Sequence, residues 1–166
     1  MIPHLPLGGV AILVTAVSLI AQAQPTQGRV AVPPPFASAV QLDIEPPAGE
    51  GAWVIQLISR GGIIDSRGGE WRVTSAGAIT CRRPDSPCDS PLSNADVGRL
   101  STLITAVSAS AWNVSASLCS DCYQRLMVLH RREGDGVRIH MAHWNESQAV
   151  APELRRLHDA VGRLQR

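Results

Sequence analysis

The stretch RLMVLHRREGDGVRIHMAHW, residues 125–144, decides the fold class of this 166-residue chain. Two largely apolar runs flank the turn signal Glu133-Gly134-Asp135-Gly136, which predicts a β-hairpin. A turn centred on residues 134–135 and one centred on residues 135–136 give different registers, and both stay open. Because side chains alternate along a strand, both registers produce the same two faces: Leu126, Val128, Val137, Ile139 and Met141 on one, and Met127, Leu129, Arg138, His140, Ala142 and Trp144 on the other.

Further strands are predicted upstream of the hairpin. Residues 53–58, WVIQLI, are rich in β-branched and aromatic side chains, and the run ends at Gly61-Gly62, where glycine permits a turn. Residues 71–74, WRVT, alternate as expected of a second strand. Residues 78–80 continue the pairing after a short turn.

Two helices complete the predicted domain. The first begins near Ser93, an N-cap candidate with Asp96 three residues on and with Leu92 and Val97 as a hydrophobic staple. Its apolar residues recur at helical spacing: Val97, Leu100, Leu103, Ile104 and Val107. The second begins near Pro152, because proline suits a first helical turn, and its inner face carries Leu154, Leu157, Val161 and Leu164. The order β-β-(β)-α-β-β-α predicts an α+β domain, with an antiparallel sheet of about four strands and two helices packed on one face.

Residues 1–23 are predicted to be a secretory signal peptide. They contain no Asp, Glu, Lys or Arg, and residues 5–20 are almost wholly apolar. Ala21-Gln22-Ala23 has the small-x-small pattern of a signal-peptidase site, which predicts Gln24 as the mature N-terminus. The protein is therefore expected to be secreted or periplasmic, with no stable membrane insertion after cleavage. The alternative is an envelope structural protein that keeps an uncleaved N-terminal anchor.

Residues 24–50 are predicted to be a Pro-rich linker. They contain six prolines and few bulky apolar residues, so they are expected to be extended or disordered and need not pack. Within them, residues 40–44 alternate in a way that is compatible with a short edge strand. Residues 51–166 are then the single α+β domain.

Charge and composition exclude several functions. The fifteen basic residues are all Arg, and fourteen acidic residues leave a formal net charge of +1. This balance argues against nucleic acid as the main partner, because phosphate binding needs a concentrated excess of basic side chains. The absence of Lys excludes Schiff-base chemistry. The sequence also has no nucleophile elbow, Walker loop, zinc-protease helix or EF-hand loop, so no catalytic residue, metal site or cofactor is predicted.

Four cysteines, Cys81, Cys88, Cys119 and Cys122, are expected to form structural disulfides in an exported chain. Four cysteines allow three connectivities, and the spacing leaves them open. Two functional alternatives use the same residues. One is a zinc site built from four thiolates. The other is thiol–disulfide exchange at the Cys119-x-x-Cys122 pair.

Three histidines, His130, His140 and His143, cluster on the hairpin. His140 and His143 point to opposite faces of their strand, whereas His130 and His143 share a face. Two histidines without a carboxylate pattern make a weak metal site. Hydrogen-bonded or solvated strand histidines are therefore the favoured interpretation.

The chain resembles the emfourin-like proteins over about residues 53–165. The run from Ile55 to Ile63 is similar to their opening strand and Gly-Gly turn. The later elements follow in the same order: a strand at 71–73, a helix at 93–107, a strand at 123–129, a G-x-G turn, a strand ending at Trp144, and a helix with Pro152, Leu154 and Leu157. The chain also resembles exported bacterial proteins of unknown function that contain cysteine.

Emfourin-like proteins are small α+β inhibitors of thermolysin-type zinc metalloproteases. The resemblance implies a non-enzymatic binding protein whose partner is a metalloprotease. On this hypothesis the contact surface is Arg60, Gly61, Gly62, Ile63 and Ile64. The glycines allow close approach, the arginine makes charge-assisted hydrogen bonds, and the isoleucines are apolar anchors. The alternative is that Ile63 and Ile64 belong to the core.

Overall fold

A computed structural model of the chain describes residues 31–33, 36–61, 68–82, 90–116 and 122–164. The described strands and helices are β1 (Trp53–Arg60), β2 (Gly69–Thr74), β3 (Ile79–Arg82), α1 (Asn94–Ala106), β4 (Gln124–Glu133), β5 (Gly136–Asn145) and α2 (Pro152–Arg163), with a short 3-10 turn at Ala109–Trp112. The α+β class predicted from the sequence is confirmed.

The strands form one antiparallel sheet in the order β3-β2-β1-β4-β5. The sheet has five strands, whereas about four were expected from the sequence. The difference is β3, the segment after the turn that follows β2, which forms a full strand. It pairs with β2 from Glu70↔Arg82 to Val73↔Ile79. β1 lies at the centre of the sheet, and seven of its eight residues are buried. A strand buried on both faces requires cover on both sides of the sheet.

The β4–β5 hairpin settles the register that the sequence left open. Glu133 pairs with Gly136, so the turn is the two-residue loop Gly134-Asp135. Gly134 has a φ of +55°, the left-handed conformation that such tight hairpin turns need. Val128 lies opposite Met141. The predicted division of side chains between the two faces is therefore correct.

The first face of the sheet packs against both helices. Its core joins strand residues to the inner sides of α1 and α2: Trp53, Ile55, Leu57, Trp71, Val73, Met127, Leu129, Leu100, Ile104, Leu154, Leu157 and Val161. α1 begins where predicted, since the backbone N–H of Asp96 donates to Oγ of Ser93 at 3.1 Å. Among the described residues, no helix has the length and apolar character needed to cross a membrane.

Part of the second face is covered by residues 36–46, which we call the arm. Phe36 is fully buried and clusters with Ile58, Leu126 and Val128. Part of the segment predicted to be a linker therefore packs on the sheet. The arm is not the edge strand that residues 40–44 suggested. Instead of pairing with a strand, the backbone of Gln41 bonds to the side chain of Gln56.

Candidate functional site

Arg60, the first residue of the predicted contact segment, ends β1. Its backbone pairs with Gln124 of β4, and its guanidinium forms a salt bridge with the carboxylate of Glu70 in β2. The two side chains are 30% and 25% exposed. An ion pair this open to solvent stabilises a protein by less than about 1 kcal/mol. It nevertheless joins β1 to β2 where the chain leaves the sheet.

Gly61 lies against the backbone of the segment that enters β4. Its φ is +150°, which L side chains rarely adopt. A Cβ at this position would lie 2.5 Å from the carbonyl oxygen of Cys122 and 2.6 Å from Cα of Tyr123. Both distances are below van der Waals contact, and both neighbours are backbone atoms that cannot swing aside. Glycine is therefore needed here for close approach as well as for conformation.

Tyr123 and Arg125 extend this end of the sheet. The guanidinium carbon of Arg125 lies 5.1 Å from the centroid of the Tyr123 ring, within the range of a cation–π contact. Both residues are half-buried. We call Arg60, Gly61, Tyr123 and Arg125 the loop base. Sequence reasoning missed the last two, because only the pairing of β1 with β4 brings them beside Arg60.

The other predicted contact residues, Gly62, Ile63 and Ile64, lie outside the described residues. The structure brings Arg60 and Gly61 together with Tyr123 and Arg125, at the start of the connection from β1 to β2. The contact role of residues 60–64 stays a prediction.

Two of the four cysteines lie among the described residues. Cys81 lies on the edge strand β3, Cys122 lies just before β4, and both are disulfide-bonded. No free cysteine occurs in the described part of the chain. Cys88 and Cys119, the remaining two of the four, lie outside the described residues.

Sheet topology removes one of the three possible connectivities. β2 and β1 separate β3 from β4, so Cys81 and the start of β4 next to Cys122 are at least about 14 Å apart, the width of three strand intervals. A disulfide requires Cα atoms less than about 7 Å apart, so these two residues cannot bond to each other. Two pairings remain: Cys81 with Cys88 and Cys119 with Cys122, or Cys81 with Cys119 and Cys88 with Cys122.

The second face contains a buried polar group that the sequence did not indicate. Gln56 is 3% exposed and His130 is fully buried. Nε2 of Gln56 lies 3.0 Å from Nε2 of His130 and donates to the backbone carbonyl of Gln41 at 2.6 Å. Gln56 interrupts the apolar run WVIQLI, and this interruption was the one available signal.

A polar groove lies beside the arm, over β2 and β3, and has a volume of about 450 Å³. Its floor includes Gln56 and Ile58, and its walls include Arg72, Thr80 and Arg82. Nη2 of Arg72 donates to Oε1 of Gln41 in the arm. The arm thus covers only part of the second face.

Four described histidines share one electrostatic property. Burial lowers the pKa of His130, His140, His143 and His158 below the usual 6.5 and is the largest cause in each case. His143 lies 2.8 Å from Oε1 of Gln124. Within residues 31–33, 36–61, 68–82, 90–116 and 122–164, no three His, Cys, Asp or Glu side chains are grouped to hold a metal ion.

Comparisons of the chain with protein-family models, curated proteins and solved structures found no match.

Proposed function

We propose that the protein is an exported, non-enzymatic binding protein that inhibits a thermolysin-type metalloprotease through residues 60–64. The observation that carries the proposal is the anchoring of this segment at the loop base. The Arg60–Glu70 salt bridge joins the first residue of the segment to β2, and Gly61, the second residue, packs on Cys122 and Tyr123 before β4.

Anchoring of this kind favours tight binding. A contact segment that starts from a rigid sheet loses less conformational entropy when it meets a partner. The loop base also offers Arg60, Tyr123 and Arg125, and arginine and aromatic side chains are enriched at protein interfaces. The choice of target rests on the resemblance to emfourin-like proteins.

An inhibition titration tests the proposal. The purified, oxidised protein is titrated against thermolysin-type proteases, with a serine protease as the control. We expect stoichiometric inhibition of the metalloproteases alone, with the protein left uncut. No inhibition at a large excess of the protein would overturn the proposed target. N-terminal sequencing of the exported protein checks the export step, for which Gln24 is the expected first residue.

A matched pair of variants tests the contact residues. Arg60→Ala and Glu70→Gln both remove the salt bridge, but only Arg60→Ala removes a group that reaches the partner. We expect Arg60→Ala to raise the inhibition constant about tenfold or more and Glu70→Gln to change it little. If both variants raise the inhibition constant equally, Arg60 acts by holding the segment in place through the salt bridge and not by contacting the partner. Ile63→Ala then tests the apolar anchor, with retained folding measured by circular dichroism.

A further inference from the structure

The arm is held on the second face by its apolar contacts and by hydrogen bonds from the side chains of Arg72, Arg132 and Gln56, and Gln56 makes two of these bonds. Oε1 of Gln56 accepts from the backbone N–H of Gln41 at 3.1 Å. Nε2 of Gln56 donates to the backbone carbonyl of Gln41 at 2.6 Å. The carboxamide thus bonds to both backbone groups of one arm residue, as a neighbouring strand would.

This arrangement dictates the protonation of His130. The carboxamide nitrogen of Gln56 has two hydrogens, and one of them is directed to the carbonyl of Gln41. The other is directed to Nε2 of His130, 3.0 Å away. Nε2 must therefore be the acceptor, so His130 is neutral and carries its proton on Nδ1.

A second proton on His130 would disrupt its contact with Gln56. It would add an N–H at Nε2, facing the N–H of Gln56, so two donors would be directed at each other. Rotating the carboxamide to present oxygen to His130 would turn its nitrogen towards the N–H of Gln41. Either the contact with His130 or the contacts with Gln41 must be lost.

We propose that Gln56 and His130 form a pH-sensitive latch, in which protonation of His130 releases the arm from the second face of the sheet. Release would uncover an apolar surface that includes Ile58, Leu126 and Val128, which the arm shields together with Phe36. This inference is independent of the proposed inhibitor function.

The surroundings of His130 set the direction of the pH dependence. Burial is the main cause that lowers its pKa, and the guanidinium of Arg72 in β2 acts in the same direction. The backbone of Gln41 and the carboxylate of Asp43, both in the arm, act in the opposite direction. From β1 the group facing His130 is the uncharged Gln56, and the residue paired with His130 in β5 is Ile139.

The sign of the effect follows from linkage. Because the pKa of His130 is lowered in the folded protein, the stability that its neutral form contributes is complete above the ordinary value of 6.5. The contribution is lost as the pH falls through the folded-state pKa. The latch is closed at neutral pH and opens in acid.

His143 is a natural control, because it also lies on the second face. Its ring packs edge-on against Phe36, with centroids 5.2 Å apart. Its Nε2, however, lies 2.8 Å from an oxygen, Oε1 of Gln124. Protonation of His143 at Nδ1 leaves that bond intact, so it breaks no hydrogen bond between the sheet and the arm.

Amide hydrogen exchange of the oxidised full chain, corrected for the intrinsic rate at each pH, tests the latch. We expect the protection of the Gln41 amide to fall by up to about tenfold for each pH unit between 6.5, the ordinary pKa of histidine, and the lower pKa of His130 in the folded protein. His130→Gln keeps an acceptor oxygen but cannot titrate, so its arm should stay protected in acid. His143→Gln should retain the pH dependence of the wild type.

Two results would overturn the proposal. One is equal protection of the wild-type arm at pH 7.5 and in acid. The other is the same acid loss of protection in His130→Gln as in the wild type. If His130→Gln does not fold, two measurements on the wild-type protein test the latch. The loss of arm protection must then end at the pKa that NMR titration of the His130 ring gives, and an end point elsewhere would reject the latch.

Discussion

The two faces of the sheet are covered in different ways, although they share the same strands. On the first face, two regular helices bury Trp53, Ile55 and Leu57 of β1. On the second face, an irregular arm covers Ile58 and leaves a polar groove over β2 and β3. Only the second face buries a glutamine and a histidine at its centre. The helical cover combines a large apolar area with a hydrogen bond from Nε1 of Trp53 to Oγ of Ser101, whereas the arm has fewer apolar contacts and relies on hydrogen bonds to Gln41.

Adjacent residues of β1 sharpen this comparison most directly. Leu57 is 1% exposed and faces the helices, and Ile58 is 2% exposed and faces the arm. We expect Leu57→Ala to lower the free energy of unfolding by about 3–4 kcal/mol, since the helices cannot collapse into the cavity. Ile58→Ala should cost about 2 kcal/mol, because an irregular arm can shift to fill the space. Urea unfolding at pH 7.5 measures both.

The result that matters is which of the two substitutions lowers the free energy of unfolding more. Equal losses for Leu57→Ala and Ile58→Ala would mean that the arm packs as rigidly as the helices. The two faces would then differ in shape but not in energetics. Burial lowers the pKa of His130 below 6.5, so at pH 7.5 the comparison is free of any contribution from the latch.

Phe36 gives the second largest effect, and it reports on the arm alone. It is fully buried, but its loss can free the arm without unfolding the helices and the sheet. We therefore expect Phe36→Ala to cost about 2 kcal/mol, less than the 3–5 kcal/mol of a central core phenylalanine. In a double-mutant cycle with Ile58→Ala, the coupling should be about 1 kcal/mol.

A matched cycle with Leu57→Ala provides the control. Leu57 lies on the other face, so its effect and that of Phe36→Ala should add within about 0.5 kcal/mol. Strong coupling across the sheet would show that the arm and the helices form one cooperative unit. Additivity with Ile58→Ala would show that the arm does not pack as the structure indicates.

The same contrast explains what the sequence could predict. The hairpin turn at Gly134-Asp135 and the helix start at Ser93 are local signals, so both were predictable within a few residues. The cover of the second face is not local. Phe36, the one phenylalanine in the chain, lies in a Pro-rich segment and packs on Leu126 and Val128, far away in sequence.

In the candidate site, too, local features were predictable from the sequence and contacts between distant residues were not. Gly61 was predictable as a turn residue, because glycine marks turns in any sequence. Its contact with Cys122 and Tyr123 was not, because that contact depends on β4 lying next to β1 rather than on any local pattern. Gln56 was visible only as a polar residue within an apolar strand, and nothing in the sequence indicated that His130 and Gln41 are its partners.

The smallest predicted effect tests whether the helical cover begins from its own local signal. Oγ of Ser93 accepts from the Asp96 backbone and lies 2.7 Å from the Asp96 carboxylate. We expect Ser93→Ala to cost about 1 kcal/mol in urea unfolding, because the first turn of α1 loses its cap. Thr102→Ala removes an exposed hydroxyl from the same helix and should change stability by less than about 0.5 kcal/mol. If both variants cost the same, α1 is ordered by packing alone. The first face would then depend on tertiary contacts as fully as the arm does.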